Sequence, residues 1–123
     1  MKKLTDKEEE LMQHFWQHGP MFVKQIVELY PEPRPHFNTV STFVRGLEQK
    51  SYVTHEQYGN TYLYRAAISR DEYSRMTLKS VISRYFNNSL FGVVSALFKE
   101  EKLSDEEIRE LVDKVVNDKG SNE

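Results

Sequence analysis

Apolar side chains recur along this chain first at helical and then at extended spacing. Leu11, Met12, Phe15 and Trp16 form one stripe, closed by Gly19-Pro20. Thr5 opens that helix, with Glu8 three residues on completing a capping box. Phe22, Val23, Ile26, Val27 and Tyr30 predict a second, shorter amphipathic helix ended by Pro31. Pro31-Glu32-Pro33-Arg34-Pro35 holds three prolines in five residues, which excludes a helix interior and predicts a stiff connector. Over 37–50, Val40, Phe43, Val44 and Leu47 fall at i, i+3, i+4 and i+7, the spacing of one buried stripe. The period then changes. Residues 52–57 and 61–65 are rich in aromatic and β-branched side chains, and they flank Tyr58-Gly59-Asn60, where Gly-Asn signals a hairpin turn.

The C-terminal part is helical throughout. Ser69-Arg70-Asp71-Glu72 is a second capping box, followed by a broad stripe of Tyr73, Met76, Leu78, Val81, Ile82, Tyr85 and Phe86. Asn87-Asn88-Ser89 breaks it, and Leu90, Phe91, Val93, Val94, Leu97 and Phe98 make a dense apolar helix. Ser104 and Glu107 frame a third capping box, before Ile108, Leu111, Val112 and Val115 at helical spacing, with Gly120 near the expected stop. Roughly 55 residues must bury this surface, too few to do so alone. The ring-rich 85–98 region predicts pairing with a second copy of the chain. The candidate dimerisation residues are Ile82, Tyr85, Phe86, Leu90, Phe91, Val94, Leu97, Phe98, Ile108, Leu111, Val112 and Val115. An intramolecular bundle is the alternative.

A helix over 37–50 followed at once by a hairpin predicts the recognition helix and wing of a winged helix-turn-helix. The fold class is therefore mainly α with a small β-hairpin: a winged domain over 1–68 and a three-helix dimerisation segment over 69–123. Opposite its apolar stripe the recognition helix carries Asn38, Thr39, Ser41, Thr42, Arg45 and Gln49. A solvated face usually carries Glu/Lys pairs. Short hydroxyl and amide groups around one Arg instead suit close approach to base edges in a major groove. Arg34 and His36 precede the helix, Asn38 lies where free backbone N–H groups suit a phosphate, and Lys50 closes it. At the wing tip Gln57, Tyr58, Gly59 and Asn60 include no Lys or Arg, so Tyr58 and Asn60 offer hydrogen bonds at most.

Charge complicates this picture. The chain is formally −2; residues 1–68 hold 8 basic and 8 acidic side chains, and residues 69–123 hold 9 and 11. Between Pro33 and Arg65, however, Arg34, Arg45, Lys50 and Arg65 face only Glu48 and Glu56, a local +2. Local arrangement governs phosphate affinity more than net charge. A winged-helix protein-interaction adaptor is the competing reading, favoured by near-neutrality and the uncharged wing tip. No Cys is present, so disulfides, thiolate metal sites and cysteine nucleophiles are excluded. His14 and His18 stand at i, i+4 without a third ligand, which predicts surface or half-buried histidines and no metal. No catalytic constellation, cofactor loop, signal peptide or membrane span is readable, and a cytoplasmic protein is expected.

Three runs resemble one family: LTDKEEELMQHFWQHG, FNTVSTFVRGLEQKSYVTHEQYGNTYLY and SRYFNNSLFGVVSALFKEEKLSDEEIREL. They resemble, in order, the first helix, the recognition helix with wing, and the dimerisation segment of the penicillinase-repressor family of bacterial transcriptional repressors. The resemblance implies a homodimer on a palindromic operator in double-stranded DNA, relieved when a membrane-bound sensor metalloprotease cuts the C-terminal part. Thr39, Ser41 and Thr42 match the family's DNA-contacting positions, and Phe37 stands where the family often has an aromatic side chain. The family's scissile Asn-Phe bond corresponds to Ala96-Leu97 here. The paired cysteines of its copper-responsive members have no counterpart.

Overall fold

The computed structural model describes residues 2–101 and 104–121, with backbone only at 101, 111 and 115–121. The chain forms two compact units, 1–76 and 77–123.

In the first unit, α1 (Asp6–His18), α2 (Val23–Glu28) and α3 (Phe37–Gln49) pack with an antiparallel sheet of β1 (Met21–Phe22), β2 (Val53–Tyr58) and β3 (Thr61–Ala66), in the order β1-β3-β2. The capping box forms as the sequence predicts: Thr5 Oγ1 accepts from the Glu8 N–H at 3.2 Å, and the Thr5 N–H donates to Glu8 Oε1 at 2.9 Å. Gly19 ends α1 at φ +79, a conformation that favours glycine. The hairpin register is Val53↔Ala66 through Tyr58↔Thr61, so Tyr58 belongs to the strand and Gly59-Asn60 alone make the turn. Gly59 takes φ +59 at the first central position, which a type II′ turn reserves for glycine.

The core of this unit joins Leu11, Met12 and Phe15 of α1 to Ile26 of α2, Val40, Val44 and Leu47 of α3, and Tyr52, Val53 and Tyr64 of the hairpin. Trp16 is half-buried at its edge and donates its indole N–H to the Ile68 carbonyl at 2.9 Å. Tyr73 and Met76 pack against the same core, which is why the first unit extends past 68 into the next helix.

Two expectations need correction. Phe43 is not buried with Val40, Val44 and Leu47; it stays 36% exposed, because it faces an open cleft against α1 and the proline connector that no side chain fills. Phe22 leaves the second helix for β1, where it pairs with Leu63 of β3, and α2 ends at Glu28, before Tyr30. A two-residue strand carries no periodicity to detect. The last helix runs to Ser121, beside Gly120, where the sequence predicts its stop.

α4 (Arg70–Tyr85) starts at Ser69, whose Oγ accepts from the Glu72 N–H at 3.1 Å. It reaches into the second unit, which also holds α5 (Leu90–Glu101) and α6 (Asp105–Ser121). Asn87 and Asn88 adopt φ +51 and +62 and end α4, where the Asn88 N–H donates to the Ile82 carbonyl at 3.0 Å. Asn tolerates this left-handed conformation better than most side chains. Ser89 and Ser104 cap α5 and α6 through the N–H groups of Gly92 and Glu107. Among the described residues no helix is long and apolar enough to cross a membrane.

Candidate nucleic-acid interface

The supporting helices leave one face of α3 open to solvent. His36, its N-cap, makes no side-chain capping bond, and no acidic residue lies in the first turn. Backbone N–H groups and the positive end of the helix dipole are therefore unneutralised there. Phe37 stands 51% exposed beside them.

Along the open face Asn38, Thr42 and Arg45 follow at i, i+4 and i+7, and all three are exposed. They are linked: Thr42 Oγ1 donates to the Asn38 carbonyl at 2.8 Å, and Arg45 Nη2 reaches Thr42 Oγ1 at 3.4 Å. The result is one short polar ridge with Thr42 at its centre and the guanidinium at its C-terminal end. Ser41 is half-buried beside the ridge. Thr39 is exposed on the other side, where with Phe43 it lines a cleft against the connector.

The remaining candidates are placed apart. Arg34 lies in the connector, where its Nε donates to the Tyr30 carbonyl at 3.3 Å and Nη1 sits 3.7 Å from Glu32 Oε1. Tyr58 and Asn60 are exposed at the wing tip, and the Tyr58 ring meets Phe22 edge to face at 6.2 Å. Lys50 is turned inward: Nζ lies 2.6 Å from Glu8 Oε1 and also donates to the Lys3 carbonyl at 3.3 Å. Burial raises the Glu8 pKa, but hydrogen bonds from Lys50 and Thr5 outweigh it, and the net shift is downward. That ammonium serves the α1–α3 junction.

Sequence reasoning missed a second junction. His55 Nδ1 of β2 lies 2.5 Å from Glu48 Oε2 of α3, and the His55 ring stacks on Tyr62 with centroids 4.3 Å apart. The pair ties the C-terminal end of α3 to the wing. Its only sequence signal was an acid and a histidine on either side of a helix-to-strand turn. On the far side of α1, His14 is half-buried against Tyr30 with Nε2 unpartnered, and its pKa is pulled down by burial.

Among the described residues of the second unit no apolar side chain is fully buried. Phe91 is 83% exposed; Tyr85, Leu90, Val94, Leu97 and Val112 are also exposed, and Ile82, Phe86, Phe98 and Ile108 are half-buried. The side chains of Leu111 and Val115 lie outside the described residues.

A profile of the family described as penicillinase repressor matches residues 4–117. The chain is similar to the penicillinase repressor of Bacillus licheniformis, 28% identical over 115 residues covering 90% of each chain. It is also similar to the penicillinase repressor of Staphylococcus aureus, 26% identical over 93 residues, 76% of this chain and 73% of that one. With an exposed recognition-type helix, a wing behind it and a match over nearly its whole length, this chain belongs to the penicillinase repressor family of transcriptional repressors.

Proposed function

We propose that the protein represses transcription as a homodimer on a palindromic operator, each protomer laying α3 in a major groove of duplex DNA. The observation that carries this reading is the ridge of Asn38, Thr42 and Arg45 beside an uncapped helix N-terminus free of acid. Arg45 and Asn38 supply groups that read base edges; Arg34, His36 and the first-turn N–H groups suit phosphates. Phe37 offers an apolar surface to a thymine methyl. Thr39 and Ser41 flank the ridge, and Tyr58 and Asn60 reach from the wing.

Dimerisation through 77–123 is supported by the exposed rings and aliphatics of α4 and α5. Two-fold symmetry then demands an inverted repeat with half-sites a whole number of turns apart, ~10 bp each. Doubling the phosphate contacts offsets the modest charge of one protomer. Derepression by proteolysis within α5 is part of the proposal; Leu97 of the matching Ala96-Leu97 bond is exposed.

Selection of bound sequences from random duplexes at two salt concentrations tests the reading. A recovered inverted repeat is the expected result. Salt-insensitive binding with no enriched sequence would sink it and favour the adaptor reading, which the uncharged wing tip supports.

A further inference from the structure

We propose that the cleft between α1, the proline connector and α3 binds a small planar aromatic carboxylate, and that this ligand controls the aim of α3. The cavity is about 290 Å³, near the lower bound of small-molecule sites. Its walls are the rings of Tyr30 and Phe43 and the faces of Pro31, Pro33 and Pro35, with Leu11 and Val40 as floor. Flat, rigid apolar surfaces of this kind favour a planar apolar body. The walls are also pre-set. Proline restricts the connector, and Tyr30 is braced from behind by His14, ring centroids 5.1 Å apart. A preformed cleft loses little entropy on binding.

The charge of the occupant follows from the rim. Lys7 is the cation lining the cleft; its side chain is 73% exposed, and Glu10 approaches its Nζ only to 4.0 Å. An anion would compete with Glu10 for the ammonium, at a pair that is long and exposed, and Thr39 adds a hydroxyl at the mouth. No acidic side chain lines the cavity among the described residues. An aromatic body with one carboxylate matches both features. An occupant would touch three elements at once: Lys7 and Leu11 on α1, the connector, and Thr39, Val40 and Phe43 on α3. Any difference in affinity between two settings of α3 becomes a change in DNA affinity. Only that last step rests on the operator-binding reading.

The test is a heteronuclear NMR titration of the full-length protein, without DNA, using benzoate as probe and benzyl alcohol as its neutral counterpart. Saturable shifts at Lys7, Leu11, Thr39 and Phe43 are expected at millimolar benzoate. Lys7→Gln should weaken benzoate roughly two- to fivefold and leave benzyl alcohol unchanged. Absence of saturation, shifts confined to 77–123, or equal loss of both probes would each overturn the site. In a parallel DNA titration benzoate should change operator affinity about threefold or more. Unchanged affinity with a filled cleft would refute the control of α3. Failure to bind any duplex would instead refute the operator reading, while the NMR result still decides the cleft.

Discussion

Lys50 Nζ and Glu8 Oε1 lie 2.6 Å apart, joining the end of α3 to the first turn of α1 with side chains only 24% and 7% exposed. A buried carboxylate that loses its cation is costly, and Lys50 retains partial solvent contact. Lys50→Ala should therefore destabilise the fold by roughly 1–3 kcal/mol. Lys50→Met with Glu8→Gln should recover much of that loss. Chemical denaturation of the three proteins measures both. Equal stability of Lys50→Ala and the parent would show that the pair contributes nothing.

Acid stability follows from the same carboxylate. The folded state lowers the Glu8 pKa, so the unfolded chain binds the proton more readily. The Glu8 contribution is complete above the ordinary carboxylate range and is lost as pH falls through the folded value. His14 acts in a higher window, since its pKa is also lowered. Its contribution is complete above about 6.5 and declines as pH falls below that. Melting temperatures followed from pH 8 down to about 2 should thus fall in two stages, and His14→Phe should flatten the upper one.

Arg45 stands at the C-terminal end of the exposed ridge. Arg45→Ala should cost ~1–3 kcal/mol of operator binding and relax sequence preference at one position of each half-site. Arg34→Ala should weaken binding to all sequences alike and reduce the salt slope by about one. Competition titrations with matched and scrambled duplexes separate these outcomes.

The exposed ring of Phe91 should lie within the dimer contact. Phe91→Asp is expected to raise the dimer dissociation constant at least tenfold, the effect of roughly 1.4 kcal/mol or more. Sedimentation velocity reads it directly. A dimer of unchanged strength would remove Phe91 from the contact.

Gly46 offers a stabilising change. A Cβ there would meet Glu8 Oε2 at 3.6 Å, an ordinary contact, and the residue has helical backbone. Gly46→Ala should therefore stabilise by roughly 0.5–1 kcal/mol. A loss of stability would mean that the α1–α3 junction admits no methyl group.

Much of this was legible in the residues. Thr5 with Glu8, the Gly59-Asn60 turn and the paired asparagines at 87–88 carry local signals, because each sets its own backbone geometry. Phe43 misled because helical spacing reports which positions share a stripe, not whether a neighbour covers all of it. Lys50 misled differently. Counted as local positive charge, it belongs with Arg34 and Arg45, yet its partner Glu8 is 42 residues earlier, a distance no periodicity spans. The Glu48–His55 junction was hidden for a related reason: proximity there depends on the angle at which β2 leaves α3.

The bonds at Lys50 and Glu48 have a mechanical consequence for α3. Both lie at its C-terminal end, and among the described residues no hydrogen bond or ion pair ties residues 37–39 to another element. The helix is thus pinned by polar bonds near Lys50, while its N-terminal half is held by packing alone, through Val40 in the core, with Phe37 and Asn38 at the tip. Over its 13 residues the arm is about 20 Å long, so a tilt of about 5° carries the tip through ~1.7 Å. Hydrogen bonds to a base edge tolerate only a few tenths of that displacement. A small push beside the proline connector would therefore be magnified into engagement or release at the tip.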